Sequence, residues 1–344
     1  MSRPTLTQRD LNRAVLARQG LLEPFDDPLP RVLERVGGIQ AQYAPSMYVG
    51  LWSRMRSLER AELTRSLEDR TVVQGTLLRS TIHLASREDY WAFAVAIREL
   101  LREWFLRVRK GDPSAAELES AAKRIRSALA DGPLRQTEID GLVGRSAREG
   151  INTVLDLVRI PPSGTWERRR ADLHADAENW IGPPDISAAD ARVLLVRRYL
   201  AGFGPATTAE IGNWAGLPVR AVTEALERVE HVTHEADGGA ALVDVPGAPL
   251  PDADTPAPIR FLPTWDATLL VHARRARILP EEHRTKVFSI RNPQSVPTFL
   301  VDGAVAGSWR YADGRIELTE FDTLPRGVLR SVERAARDIA AFYA

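Results

Sequence analysis

The sequence predicts a mostly helical α+β protein in which one order of elements, helix–helix–helix–hairpin, recurs along the chain. Three observations carry that expectation. Three helix-type segments precede a β-branched run within the first 84 residues. Two later stretches, Thr137–Gly144 and Ala209–Gly216, share the pattern Glu-Ile-x-x-x-Val/Ala-Gly. A Pro- and Asp-rich linker then gives way to short β-type runs broken by Asp-Gly pairs.

Thr7 and Asp10 have capping-box spacing, and Leu11, Val15 and Leu16 mark one face of a helix ending near Gly20. A second helix is expected from Pro30 to Gly37 and a third over Leu58–Leu67, with Leu63 and Leu67 at i, i+4. The run Thr71–Leu84 reads as two short strands with a glycine at the bend. This is the order of a winged helix. In the two repeats a glycine closes a short helix before a second one, expected over Ala147–Val158 and Pro218–Val229, and each leads into an extended segment. After the linker Pro246–Pro258, β-type runs are expected at Ile259–Leu262, Thr268–Val271, Thr298–Val301, Val305–Tyr311 and Arg315–Leu318. Asp302-Gly303 and Asp313-Gly314 make tight turns, and a final helix covers roughly Arg326–Phe342. The expected architecture is three tandem winged-helix units (1–110, 111–185, 186–250), then a small β-rich module with a C-terminal helix (251–344).

Composition narrows the function. The chain has 344 residues, no cysteine, and 46 basic against 46 acidic residues. No disulfide or thiolate metal site is possible, no apolar run approaches the ~18 residues of a membrane span, and the N-terminus lacks a signal-type stretch. A cytoplasmic protein is expected, with no metal or cofactor. Residues 1–110 hold 18 Lys/Arg and 13 Asp/Glu, a modest excess that suits a polyanion. Only Lys110, Lys123 and Lys286 are lysines. There is no P-loop, G-x-G-x-x-G, H-E-x-x-H or G-x-S-x-G, and the six histidines are scattered.

The runs "LTQRDLNRAVLARQGLLE", "VGGIQAQYAPSMYVGLWSRM", "QGTLLRSTIHLASREDYWAF", "LAGFGPATTAEIGNWAGL", "FLPTWDATLLVHARRARIL" and "VDGAVAGSW" span nearly the whole chain. They resemble the bacterial tandem winged-helix DNA glycosylases of the AlkZ type, which excise bulky alkylated purines and unhook interstrand crosslinks. The resemblance implies a monofunctional glycosylase acting on double-stranded DNA, expected to work as a monomer near the nucleoid. That family's signature is Gln, an aliphatic residue, then Gln or Asp; here it is Gln40-Ala41-Gln42, with an unusually small middle residue. Gln40 and Gln42 are thus the implied catalytic pair, placed at a turn near a helix end.

The chemistry suits neutral amides. An N7-alkylated guanine is already cationic, so it leaves without protonation, and the enzyme must supply a positioned water and a dipole facing the sugar cation. Outside that resemblance, two glutamines near a helix end are ordinary solvated residues. Arg79, Thr81 and His83 alternate on one expected strand, and so share a face. They either line the cleft, with Arg79 on phosphate and His83 near the base, or bond internally. Tyr43 either stacks on a base or packs. Arg168 and Arg169 follow an expected wing where phosphate contacts are common. Arg274 and Arg275 form a basic cluster that either holds phosphate or is solvated. Trp52, Trp91, Trp104, Trp214 and Trp309 are assigned to the core. Two non-catalytic alternatives stay open: a winged-helix DNA-binding regulator, and a resistance protein that sequesters an alkylating compound.

Overall fold

Thr7 follows a two-residue strand, β1 (Thr5–Leu6), and opens α1 (Gln8–Arg18) through the expected capping box with Asp10. The computed structural model describes residues 5–270, 275–288 and 295–344. Next come α2 (Leu29–Val36), β2 (Ile39–Gln40), α3 (Ala44–Trp52) and α4 (Arg60–Glu68). Helix α3, in which Ala44 through Leu51 are all buried, is not among the expected elements. A helix apolar on every side has no stripe to reveal it.

The β-branched run forms the hairpin β3 (Val72–Thr76) and β4 (Ile82–Ser86). Its bend is not Gly75. The chain reverses at Leu77–Thr81, where Arg79 and Ser80 have φ of 54° and 56°. Gly75 lies inside β3, and a Cβ there would stand 2.6 Å from the Tyr90 ring.

Helices α5 (Arg87–Val108) and α6 (Ala115–Leu129) follow, then β5 (Leu134–Arg135), α7 (Gln136–Leu142) and α8 (Arg145–Gly150). The helix expected over Ala147–Val158 therefore stops at Gly150; a 3-10 turn covers Ile151–Thr153 and Leu157–Arg159 is a strand, β6. Gly150 marks a close approach to α5, since a Cβ there would lie 2.5 Å from the Phe105 ring. The β-branched Ile151, Thr153 and Val154 beyond it disfavour further helix. After β7 (Leu173–Asp176), α9 (Ala177–Ile181) and the long α10 (Ala188–Phe203), the second helix-turn-helix is present as α11 (Thr208–Ala215) and α12 (Val219–Leu226), closed by Gly216 at φ 74°. The hairpin β8 (Val232–Ala236) and β9 (Ala241–Asp244) completes it.

Beyond the linker lie β10 (Arg260–Leu262), α13 (Arg284–Val287), β11 (Thr298–Val301), β12 (Ala304–Ala312), β13 (Arg315–Glu320) and α14 (Arg326–Tyr343). Both Asp-Gly pairs turn as expected, with φ of 46° and 79° at Asp302-Gly303 and 49° and 78° at Asp313-Gly314. No strand forms at residues 268–270, which turn because the Asp266 carboxylate accepts from the Thr268 N–H and hydroxyl; Val271 lies outside the described residues.

Among the described residues these strands form three sheets. The largest runs β2-β4-β3-β6-β7-β5, so the hairpin of the first expected unit is continuous with that of the second through the antiparallel β3–β6 pair. A second sheet, β1-β8-β9, pairs the chain's first strand in parallel with β8. The third, β10-β11-β12-β13, is antiparallel and is covered by α14 through Val332, Ala336 and Ile339, which pack with Phe261, Phe299 and Trp309. The largest core lies between α5 and α10, where Tyr90, Phe93, Leu195, Tyr199 and Trp214 meet.

Helix α1 joins parts that are distant in sequence. Leu11 packs with Ala236 and Leu242, while Val15 and Leu16 pack with Leu262, Leu300 and Val305. The Nε atoms of Arg9, Arg13 and Arg18 donate to the linker carbonyls of Ala253, Thr255 and Pro249. Arg18 also pairs with Asp244 at 2.6 Å, and Arg13 with Asp302 at 2.5 Å.

Candidate active site

Two left-handed glycines deliver the Gln-Ala-Gln segment to the edge of the largest sheet. Gly37 and Gly38 have φ of 76° and 77°, and the Gly38 N–H returns to the Leu33 carbonyl at 2.9 Å. A side chain at Gly38 would collide with the Leu84 carbonyl, 3.0 Å from an ideal Cβ. Gln40 is therefore a strand residue on β2, not part of a helix end. It pairs with His83, which in turn pairs with Gly75. Directly paired residues share a face, so Gln40 and His83 stand side by side. Gln40 is buried, yet its amide makes no hydrogen bond with a described residue.

Ala41 turns its side chain into the core with Met47 and Leu84. Its N–H donates to the Ile82 carbonyl at 2.7 Å, and its carbonyl accepts from Gln74 Nε2 at 3.2 Å. Gln74, a buried glutamine of β3, thus grips the motif between its two glutamines. Sequence reasoning passed it over; the one available signal was an amide in the middle of the otherwise apolar "VVQGT". Gln42 is exposed, and its Oε1 accepts from the Ile82 N–H at 3.1 Å. This bond fixes the amide and leaves its NH2 and one oxygen lone pair free.

His83 is buried, and its Nδ1 lies 3.0 Å from the Thr81 carbonyl. Burial, helped by the charge of Arg79, holds its pKa down to about 3. The ring is therefore neutral, Nδ1–H donates to Thr81, and Nε2 keeps its lone pair beside Gln40. Arg79 is not on the strand with His83. It occupies the left-handed turn, its guanidinium donates to the Trp214 carbonyl, and burial lowers its pKa to about 10. Strand alternation cannot anticipate such a turn. The Thr81 hydroxyl donates to the Leu78 carbonyl at 3.0 Å.

Tyr43 caps the start of α3 and is 40% exposed; its hydroxyl accepts from Arg169 at 3.3 Å. The two residues border a groove of about 210 Å³ with Tyr311 and Tyr343. Arg168 and Arg169 are exposed in the loop between β6 and β7. Arg274 and the side chain of Arg275 lie outside the described residues. Of the tryptophans assigned to the core, Trp91, Trp214 and Trp309 are buried, but Trp104 is 51% exposed.

Behind the motif, Arg54 at the end of α3 forms a buried two-pronged pair with Asp266, both contacts at 2.9 Å, and also reaches Gln19 and the Gly50 carbonyl. Burial alone would raise the Asp266 pKa, but the Arg54 charge and the Thr268 bonds outweigh it, and the carboxylate stays ionised. The pair clamps the far end of α3, the helix that follows the motif, to the segment after β10.

A profile of the family described as DNA glycosylase AlkZ-like matches residues 33–342. A protein of Streptomyces sahachiroi described as an interstrand DNA cross-link repair glycosylase is 24% identical over 349 residues, spanning 93% of this chain and 92% of that protein. The solved structure of Streptomyces sahachiroi DNA glycosylase AlkZ superposes with a TM-score of 0.80 at 17% identity, covering 99% of this chain and 97% of that one. That likeness is one of fold.

Proposed function

Because the chain belongs to the AlkZ-like DNA glycosylase family, we propose that it hydrolyses the N-glycosidic bond of cationic N-alkylated purines in double-stranded DNA, interstrand crosslinks included, through Gln40 and Gln42. The observation that carries this reading is the arrangement of the two amides. One is tied to the strand edge by Ile82, and the other, on a residue only 7% exposed, is uncommitted and open to water beside His83, its partner in register. In the reaction the alkylated base leaves with the bonding electrons, its positive charge neutralised, and the sugar becomes an oxocarbenium ion. Water adds to C1′ and loses a proton to solvent, leaving an abasic site. The Gln40 carbonyl orients that water, with His83 Nε2 as a second acceptor, and the free lone pair of Gln42 faces the sugar cation. None of these groups needs to change protonation state near neutrality.

Tyr43, Thr81, Arg168 and Arg169 then contact the strand around the lesion, and Arg79 borders the cleft. The helix-turn-helix pairs and hairpins support three tandem winged-helix units over 1–110, 111–185 and 186–250, with the β-rich module and α14 over 251–344. A bulky adduct need not be flipped into a closed pocket. Among the described residues no amine stands at the motif to form a Schiff base, so no strand scission is expected. A single chain acting near the nucleoid completes the reading.

The test is base release from a duplex carrying N7-methylguanine and from one carrying an N7-linked interstrand crosslink, scored by alkaline cleavage. Wild type is expected to release base, and Gln40→Ala and Gln42→Ala to slow it about a hundredfold, the order for losing one transition-state dipole. Release that is unchanged in both variants refutes the two-glutamine mechanism. No release from either duplex, with binding intact, makes the protein a DNA-binding relative without this chemistry.

A further inference from the structure

On the face of the largest sheet opposite Gln40 and His83, Arg159 of β6 and His174 of β7 stand paired in register. They line an inner cavity of about 310 Å³, together with Thr76, Gln136 and Asn152. Arg159 Nη1 donates to the Thr76 hydroxyl at 3.2 Å, but its buried Nε has no partner, and among the described residues no carboxylate forms an ion pair with it. Both ring nitrogens of His174, which is 2% exposed, are likewise without a partner. Neighbouring charges are already matched: Arg148 with Asp140, Glu149 with Arg109, and Asp156 with Arg98. Of the charged residues lining this cavity, Arg159 is the one with no carboxylate partner among the described residues.

Burial lowers the pKa of Arg159 to about 10 and that of His174 to about 4, so the arginine stays charged and the imidazole neutral at pH 7. An unpaired buried cation next to an unsatisfied imidazole is costly, and folded proteins rarely leave either unmet. A group bearing negative charge and several acceptor oxygens meets both needs.

The inner cavity opens outward. Ser80, Glu149 and Asn152 line it and also line a larger cleft of about 880 Å³ that passes the tip of the β3–β4 turn. Its far wall is the end of α5, where Trp104 and Val108 are 51% and 55% exposed. The exposed indole, assigned to the core from sequence, thus faces an apolar cleft that leads to a cationic pocket. An indole face and a buried guanidinium suit the two halves of one ligand: a planar ring system and a phosphate.

We propose that this cleft is a nucleotide site, with a phosphate group held by Arg159 and His174 and a base laid against Trp104. The nucleotide is either free or part of a DNA strand that reaches the cleft while a duplex lies at the Gln-Ala-Gln edge. The site stands apart from that edge, so it holds whether or not the glutamines catalyse.

Calorimetric titration of the full chain in phosphate-free, low-salt buffer tests the proposal, with deoxyguanosine monophosphate, deoxyguanosine and inorganic phosphate as probes. The monophosphate is expected to bind saturably and at least about tenfold tighter than the nucleoside, one charge-assisted contact's worth. Arg159→Gln should weaken both monophosphate and inorganic phosphate about tenfold or more. Trp104→Ala, a change at an exposed position that leaves the fold intact, should weaken the monophosphate and leave inorganic phosphate unchanged. Displacement of the monophosphate by a short single-stranded oligonucleotide assigns the site to a DNA strand; its failure assigns it to a free nucleotide. No saturable binding of the monophosphate overturns the proposal, as does equal affinity for it in wild type and Trp104→Ala. The tryptophan variant decides the matter even if the arginine variant does not fold.

Discussion

Gln74→Leu tests whether the motif owes its position to the strand beside it. The substitution keeps roughly the same volume in a fully buried place but removes the donor to the Ala41 carbonyl, now 3.2 Å away. That carbonyl would be left buried and unmet, a cost of about 1–3 kcal/mol, and the melting temperature should fall by a few degrees. Ala41 would then be held from one side only, by its N–H to Ile82. Gln40 and Gln42 flank it, and a displacement near 1 Å at reacting groups slows chemistry by roughly tenfold to a hundredfold. Single-turnover release of N7-methylguanine should therefore slow by that range while duplex affinity, measured by anisotropy, stays the same. Gln74→Glu adds a sharper readout. An ionised carboxylate cannot donate to the carbonyl, but a buried carboxyl takes up a proton as pH falls, so its rate should recover towards wild type in mildly acidic buffer. Wild-type rates in Gln74→Leu, with or without the stability loss, would refute the positioning role.

Acid should destabilise the protein through two histidines. The folded state holds His83 and His174 neutral, with pKa values of about 3 and about 4 against an ordinary 6.5. Stability is thus undiminished above pH 6.5. Below it, the unfolded chain takes up protons that the folded chain does not, and each histidine costs about 1.4 kcal/mol per pH unit until its folded pKa is reached. At pH 5 that amounts to about 2 kcal/mol each. Urea melts at pH 7 and pH 5 should show the loss, and a His83→Gln, His174→Gln double variant should lose much of the pH slope; an unchanged slope would contradict the assignment. Arg54→Met strands a buried Asp266 carboxylate and should cost about 3–5 kcal/mol, with much of it regained in Arg54→Met, Asp266→Leu. If the double variant is no more stable than the single one, the pair is not the source of the loss.

The elements that declare themselves in the sequence do so through local chemistry. The Thr7–Asp10 box, the closing glycines at Gly37 and Gly216, and the two Asp-Gly turns each need only a few neighbouring residues, and each is where expected. Features set by distant partners were not legible. Gly150 lets the end of α8 press against Phe105 of α5, and Gly75 sits mid-strand because Tyr90 fills the space above it. At the site, the resemblance singled out Gln40 and Gln42, but nothing local told that Ile82 already holds one amide and that Gln74 grips the residue between them. Arg79 was misplaced because alternation presumes an unbroken strand. Trp104 was misassigned because tryptophan is usually buried, and its exposure depends on an opening formed by four separate parts of the chain.

Helix α1 has a consequence for how the molecule is made. Its apolar residues find their partners at Ala236, Leu242, Leu262, Leu300 and Val305, and its arginines find theirs at Asp244 and Asp302. At about 5–20 residues per second, a ribosome needs on the order of ten seconds or more to supply those partners. Throughout that interval the first helix leaves the ribosome with an apolar face and three arginines unengaged. The early and late parts of the chain therefore reach their final arrangement together, near the end of synthesis. A fragment cut at residue 110 would lack all of these partners, and one cut at residue 250 would keep Ala236, Leu242 and Asp244 but lose Leu262, Leu300, Val305 and Asp302.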